Sequence, residues 1–127
     1  MRSALLIALL ATSAPGDERA VFYGSWGTPE QCSRLPITPG GTVLAEPFEI
    51  DAQWLGHGQL WCRLNWLPIE PRENGYFSGA QAACGEDAVR GGHFLGMRLS
   101  GDQLTLTWNF GLINGPLKRC TGERSVE

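Results

Sequence analysis

Residues 95–108, LGMRLSGDQLTLTW, decide the fold. Leu104, Leu106 and Trp108 alternate with Thr105 and Thr107, and Leu95, Met97 and Leu99 alternate with Gly96 and Arg98. A period of two places the apolar side chains of each run on one face of a strand. Ser100-Gly101-Asp102 between the runs is a tight-turn sequence, so the two strands form a hairpin.

The same alternation extends outward. Leu60, Cys62, Leu64 and Trp66 share one face of a strand, and Tyr76, Ser78, Ala80, Ala82 and Cys84 share a face of the next. Pro68 to Gly75, with Pro71 and Asn74-Gly75, supplies the loop between them. Val21 to Trp26 and Val43 to Ile50 read as earlier strands, the second at an edge or broken because of Pro47. Leu117 to Thr121 reads as a last strand, with Asn114-Gly115 turning into it. The 17 Gly and 8 Pro leave no room for a long amphipathic helix. A short helix over Ala80 to Val89 is the competing reading of that stretch, since alanine favours helix. The expectation is an all-β fold: a small, disulfide-stapled up-and-down β-barrel or sandwich of about seven strands. In such a meander Asp51–Gly58, Gly85–Gly92 and Phe110–Gly115 gather at one end. Gly27–Thr42, Pro68–Gly75, Gly101 and the chain end gather at the other.

Four cysteines allow three pairings. Cys62 and Cys84 lie on matching faces of two strands expected to be neighbours, and a hairpin centred near residue 73 brings them opposite each other. Cys32 and Cys120 then tie the two ends of the sheet. No two cysteines are close enough in sequence for a zinc-type or redox-active pair, so all four read as scaffold.

The compartment follows from the start of the chain. Arg2 precedes the apolar run Ala4–Ala11, ALLIALLA. A bilayer span needs about 20 such residues, whereas this run has the length of a signal-peptide core. Ala11 and Ser13 suit cleavage after Ser13, giving a signal peptide over 1–13 and one β domain over 14–127, periplasmic or secreted. Net charge is −3, and the arginines are scattered rather than grouped in a stripe. That excludes nucleic acid and anionic membrane surfaces as natural partners. Charged content of 18% with 43% apolar residues is that of a globular domain.

Chemistry-bearing residues are few. His57, Glu86, Asp87, Arg90 and His93 fall in loops at one end of the meander. Two imidazoles and two carboxylates can hold a metal or supply an acid and a base. No G-x-S-x-G, H-E-x-x-H or phosphate-loop motif accompanies them. Trp26, Trp54, Trp61, Trp66 and Trp108 form an aromatic surplus. Trp66 and Trp108 fall on inward faces, while Trp61 alternates against Leu60 and Cys62 and points outward, a candidate binding anchor.

Gly24-Ser25-Trp26 resembles the G-x-W signature on the first strand of calycin-type barrels. That resemblance implies a basic residue near the last strand set against the Trp, and Arg119 matches. Gly24 to Cys32 together with Gly101-Asp102-Gln103-Leu104-Thr105-Leu106 is similar to small periplasmic inhibitors of secreted metalloproteases. Here the second cysteine pair is additional, and Gly16 to Phe22 does not match their inhibitory segment. The layout of a first Trp, four spread cysteines and a terminal Arg-Cys is also similar to small exported proteins of proteobacteria.

These readings favour a non-enzymatic binding module, without cofactor or metal, for a protein or a small apolar ligand. One alternative is an inhibitor of a secreted protease or other hydrolase, presenting the Pro-rich Gly27–Thr42 loop. The other is a small hydrolase or metal-dependent enzyme using His57, Glu86, Asp87 and His93.

Overall fold

A computed structural model of the protein describes residues 17–85 and 92–121. A 3-10 helix, Glu18–Phe22, leads into strand β1, Gly24–Gly27, and a one-turn helix α1, Pro29–Cys32. The other strands are β2 (Phe48–Ile50), β3 (Trp54–His57), β4 (Leu60–Trp66), β5 (Glu70–Arg72), β6 (Gly75–Cys84), β7 (His93–Ser100), β8 (Gln103–Trp108) and β9 (Ile113–Arg119). Eight of them close an antiparallel ring, because β1 pairs with β9 and β4 pairs with β6. Strand β5 lies outside the ring, paired with the first residues of β6.

The alternating runs form the expected barrel wall. In the β7–β8 hairpin, Leu95 faces Trp108, Met97 faces Leu106 and Leu99 faces Leu104. These six side chains point inward and are buried. Phe22, Trp26 and Leu55 join them at zero exposure, each burial stabilising by about 1.5–3 kcal/mol or more. The interior is therefore packed rather than hollow.

One end of the barrel is sealed. Phe22 of the 3-10 helix reaches into the core, and its carbonyl accepts from Trp26 Nε1 at 2.9 Å. On the outside, the Arg119 guanidinium stacks over the Trp26 ring at 4.3 Å and donates to the carbonyls of Val21 and Tyr23. Gly24 is required there. Its φ is +123°, and a Cβ would stand 2.9 Å from Arg119 Nη1. The Arg119–Trp26 contact implied by the calycin-type resemblance is thus present.

Two disulfides cross the ring, Cys62–Cys84 between β4 and β6 and Cys32–Cys120 between α1 and the end of β9. Thr28 caps α1 reciprocally with Gln31, and Pro29 occupies its first turn. This folds the helix back along the barrel wall and brings Cys32 to Cys120.

Several boundaries differ from the sequence reading. Val21 and Phe22 belong to the 3-10 helix, so the first strand starts only at Gly24. The stretch Val43–Ile50 is strand only from Phe48, after Pro47. Residues 54–57, expected in a loop, form β3, started by an Asp51 carboxylate that accepts from Gln53 N and Trp54 N. That added strand reverses the chain once more. Strand β1 therefore runs toward the end carrying the Phe110 loop, opposite to the expectation, while α1 after it folds back to Cys120 at the other end of β9. Asn114-Gly115 lies inside β9, where Gly115 at φ +138° accompanies an irregular register against Leu104 and Leu106. Ala80–Cys84 is strand, not helix; residues 86–89 of that competing reading lie outside the described residues.

Candidate functional site at the open end of the barrel

Among the described residues, no element covers the end opposite the 3-10 helix. Strand pairing brings its residues together: His57 faces both Phe48 and Leu60, and His93 begins β7 opposite Ala82. Beyond β8 the chain turns at Asn109-Phe110-Gly111, closed by Gly111 N donating to the Trp108 carbonyl at 3.0 Å. The result is a cavity of about 410 Å³ lined by Phe48, His57, Leu60, Cys84, Gly85, His93, Trp108, Phe110, Leu112 and Asn114. Its volume is in the range of small-molecule sites, about 300–1,000 Å³.

The lining is mostly rings. His57 stacks on Phe48, centroids 4.2 Å apart and planes at 11°, and His93 meets Phe110 edge-on at 4.9 Å. Phe110 in turn sits 5.8 Å from Trp108. Trp108 Nε1 donates to Asn114 Oδ1 at 2.8 Å, which fixes both side chains. Phe110 and Leu112 are 57% and 48% exposed, so this side of the cavity rim is apolar. A neutral imidazole offers one donor and one acceptor. The two histidines therefore provide polar handles in an otherwise greasy mouth.

No known protein family, curated protein or solved structure matches the chain.

The structure brings His57 and His93 to one cavity. Glu86, Asp87 and Arg90 lie outside the described residues. Among the described residues no group of three His, Cys, Asp or Glu side chains is placed to hold a metal ion. Trp61 is half exposed on the outer wall of β4, where it lies across Gly56, and it does not line the mouth. Trp54 stands beside it, with Arg63 stacked over Trp54 at 5.7 Å.

Sequence reading did not select Phe48, Phe110 or Leu112 for the site. A usable signal was present: Phe110-Gly111-Leu112 puts two large apolar residues in the connection between β8 and β9, where polar residues are usual.

Two other features bear on function. A cavity of about 950 Å³ lies between α1 and β9, lined in part by Arg34, Lys118 and Arg119. Its cations are already engaged: Arg34 with Glu46 and Glu49, Lys118 with Asp102, and Arg119 with main-chain carbonyls. The connection from α1 to β2 folds into an arm in which Ile37 N donates to the Val43 carbonyl at 2.9 Å and Ala45 N to the Leu35 carbonyl at 2.7 Å. Leu35, Ile37, Val43 and Leu44 on this arm are all 42–66% exposed.

Proposed function

We propose that the protein is a periplasmic or secreted binding module without catalytic activity, and that it takes a small, largely apolar ligand in the open mouth of its barrel. The observation that carries this reading is the ring-lined cavity at the end of the barrel that no described element covers. The packed interior limits the ligand to the mouth, held between Phe48, Trp108 and Phe110 with its polar edge toward His57, His93 or Asn114. Two disulfides and a chain in which no described helix is long and apolar enough to cross a membrane are compatible with that compartment.

The test is a titration of the disulfide-intact protein with N-phenyl-1-naphthylamine, an uncharged apolar fluorophore, followed by competition with alkanols of increasing length. Saturable binding that a Phe110→Asp/Leu112→Asp double variant weakens by tenfold or more supports the reading. Absence of saturable binding, or equal binding by the variant, overturns it.

A second reading, inhibition of a secreted hydrolase, is supported by the arm over residues 35–45. Its aliphatic side chains stand in solvent on a backbone held at its base by Arg34, which pairs with Glu46 at 3.1 Å, and by the nearby Cys32–Cys120 bridge. Rigid presentation lowers the ordering cost of binding. Assays against a panel of secreted proteases and lysozymes, with Ile37→Asp as the control variant, decide it; no inhibition by the unaltered protein removes the reading.

A further inference from the structure

Three of the five tryptophans spend their indole N–H inside the protein: Trp26 on the Phe22 carbonyl, Trp66 on the Ala52 carbonyl and Trp108 on Asn114. Trp54 and Trp61 do not. Among the described residues neither has an acceptor for its Nε1. Both stand on the outer wall of β3 and β4, 36% and 49% exposed. A ring that is apolar on its faces and polar at one tip suits a boundary where a ligand meets water.

Strand register sets the two rings side by side. Trp61 faces Gly56 and Trp54 faces Arg63, so the tryptophans are diagonal neighbours across β3 and β4. A Cβ at Gly56 would stand 2.5, 2.6 and 2.7 Å from Cζ3, Cη2 and Cε3 of Trp61. Near-equal distances to three consecutive ring atoms put the face of the ring, not its edge, over Gly56. The indole therefore lies flat on the sheet and turns its other face to solvent. Between it and Trp54 opens a cleft of about 290 Å³, lined by these two side chains. Polar residues continue the same outward face. Arg63 and Asn65 follow Trp61 at steps of two residues, about 6.5 Å each, and Gln81 of β6 faces Asn65. All three are exposed.

We infer that this wall binds a β-linked glycan, with one pyranose seated in the Trp54–Trp61 cleft. A pyranose with equatorial substituents has an apolar C–H face and a rim of hydroxyls. The C–H face matches the flat Trp61 ring. The hydroxyls meet the two unspent indole N–H groups, and the next sugar along the strand meets the guanidinium of Arg63 and the amides of Asn65 and Gln81, which donate and accept. The file from Trp61 to Asn65 favours a chain of sugars over a single one. A protein partner of ordinary size covers about 800 Å² on each side around an apolar centre. Here the apolar part ends at two indoles and gives way to amides and a guanidinium. Neither tryptophan lines the barrel mouth, so the inference does not depend on the reading given to that cavity.

Titration calorimetry with cellotetraose and with its N-acetylated amino-sugar counterpart, chitotetraose, tests the inference, with glucose as the single-sugar control. At least one tetrasaccharide is expected to bind saturably, about tenfold or more tighter than glucose, and which one does so separates a plain glucan from an amino-sugar chain. Trp54→Ala is expected to weaken binding by about tenfold or more and to leave the thermal unfolding curve in place. Trp61→Phe keeps a ring over Gly56 but removes the N–H and narrows the platform, and is expected to weaken binding by about threefold or more. Sedimentation of the unaltered protein and of Trp54→Ala examines the other occupant: a dimer that this change dissolves places a second copy on the wall and overturns the inference. No saturable binding of either tetrasaccharide, or unchanged affinity in Trp54→Ala, overturns it as well.

Discussion

The two ends of the barrel are built from the same strands and treated differently. At one end the chain spends Phe22, Trp26 and Arg119 on a seal in which every ring is covered and two main-chain carbonyls of the N-terminal segment are tied to the last strand. At the other end, Phe110 and Leu112 stand in solvent around a cavity with two imidazoles in its wall. Apolar side chains at the first end lower the free energy of the fold. At the second they gain little from folding, which fits the ligand site proposed for the mouth. Under that proposal stability and binding are segregated along the barrel axis, and mutations separate them.

The largest break comes from Trp26→Ala. Removing a fully buried Trp costs about 3–5 kcal/mol, and it strips Arg119 of its platform, so urea unfolding shifts far to lower concentration. Next are the bridges, each worth about 2–5 kcal/mol. Replacing Cys32 and Cys120 by Ser is expected to cost about 1 kcal/mol more than replacing Cys62 and Cys84, because the spans are 88 and 22 residues. Only the loss of Cys62–Cys84 is expected to alter ligand titrations as well, since Cys84 lines the mouth.

Arg119→Met is expected to cost about 1–3 kcal/mol through two lost hydrogen bonds and the cation–ring contact, with mouth binding unchanged. Phe110→Ser and Leu112→Ser invert that result: unfolding within about 0.5 kcal/mol of the parent, and titration of apolar probes lost. If these rim changes destabilise as much as Arg119→Met, the segregation fails.

The smallest effect concerns Tyr23 at the sealed end. Burial, and then its hydrogen bond to Asp17, hold the phenol above its ordinary value. The neutral form is favoured by the fold, so the contribution is full below the unfolded-state value near ~10 and is lost as pH rises through the raised folded-state value. Tyr23→Phe is expected to flatten the alkaline limb of the stability curve, measured by urea unfolding across that range.

What the residues disclosed depended on whether a local pattern or a distant partner fixed each element. The β7–β8 hairpin, β4 and β6 carry their own alternation, and their inward faces could be read directly. Strand β3 could not, because Gly56 and Gly58 look like loop; Gly56 is tolerated only because Trp61, from the next strand, covers it. Strand β5, Glu70-Pro71-Arg72, has no strand propensity and exists because β6 offers it an edge. Missing β3 also reversed the expected direction of β1. The mouth histidines were legible because they flank alternating strands. The rings around them were not, since Phe48 and Phe110 come from segments with no period. The outward direction of Trp61 followed from alternation alone.

The disulfides have a further consequence. In the ring, β1 to β4 form one continuous meander and β6 to β9 another, and each bridge runs from the first meander to the second. A protease that cuts the exposed Glu73-Asn74 turn would leave two fragments joined at both seams. Such a clipped molecule would migrate as one species until reduced and as two afterwards. The chain can therefore mature, if cleaved there, into a covalent two-chain heterodimer without giving up either its sealed end or its open one.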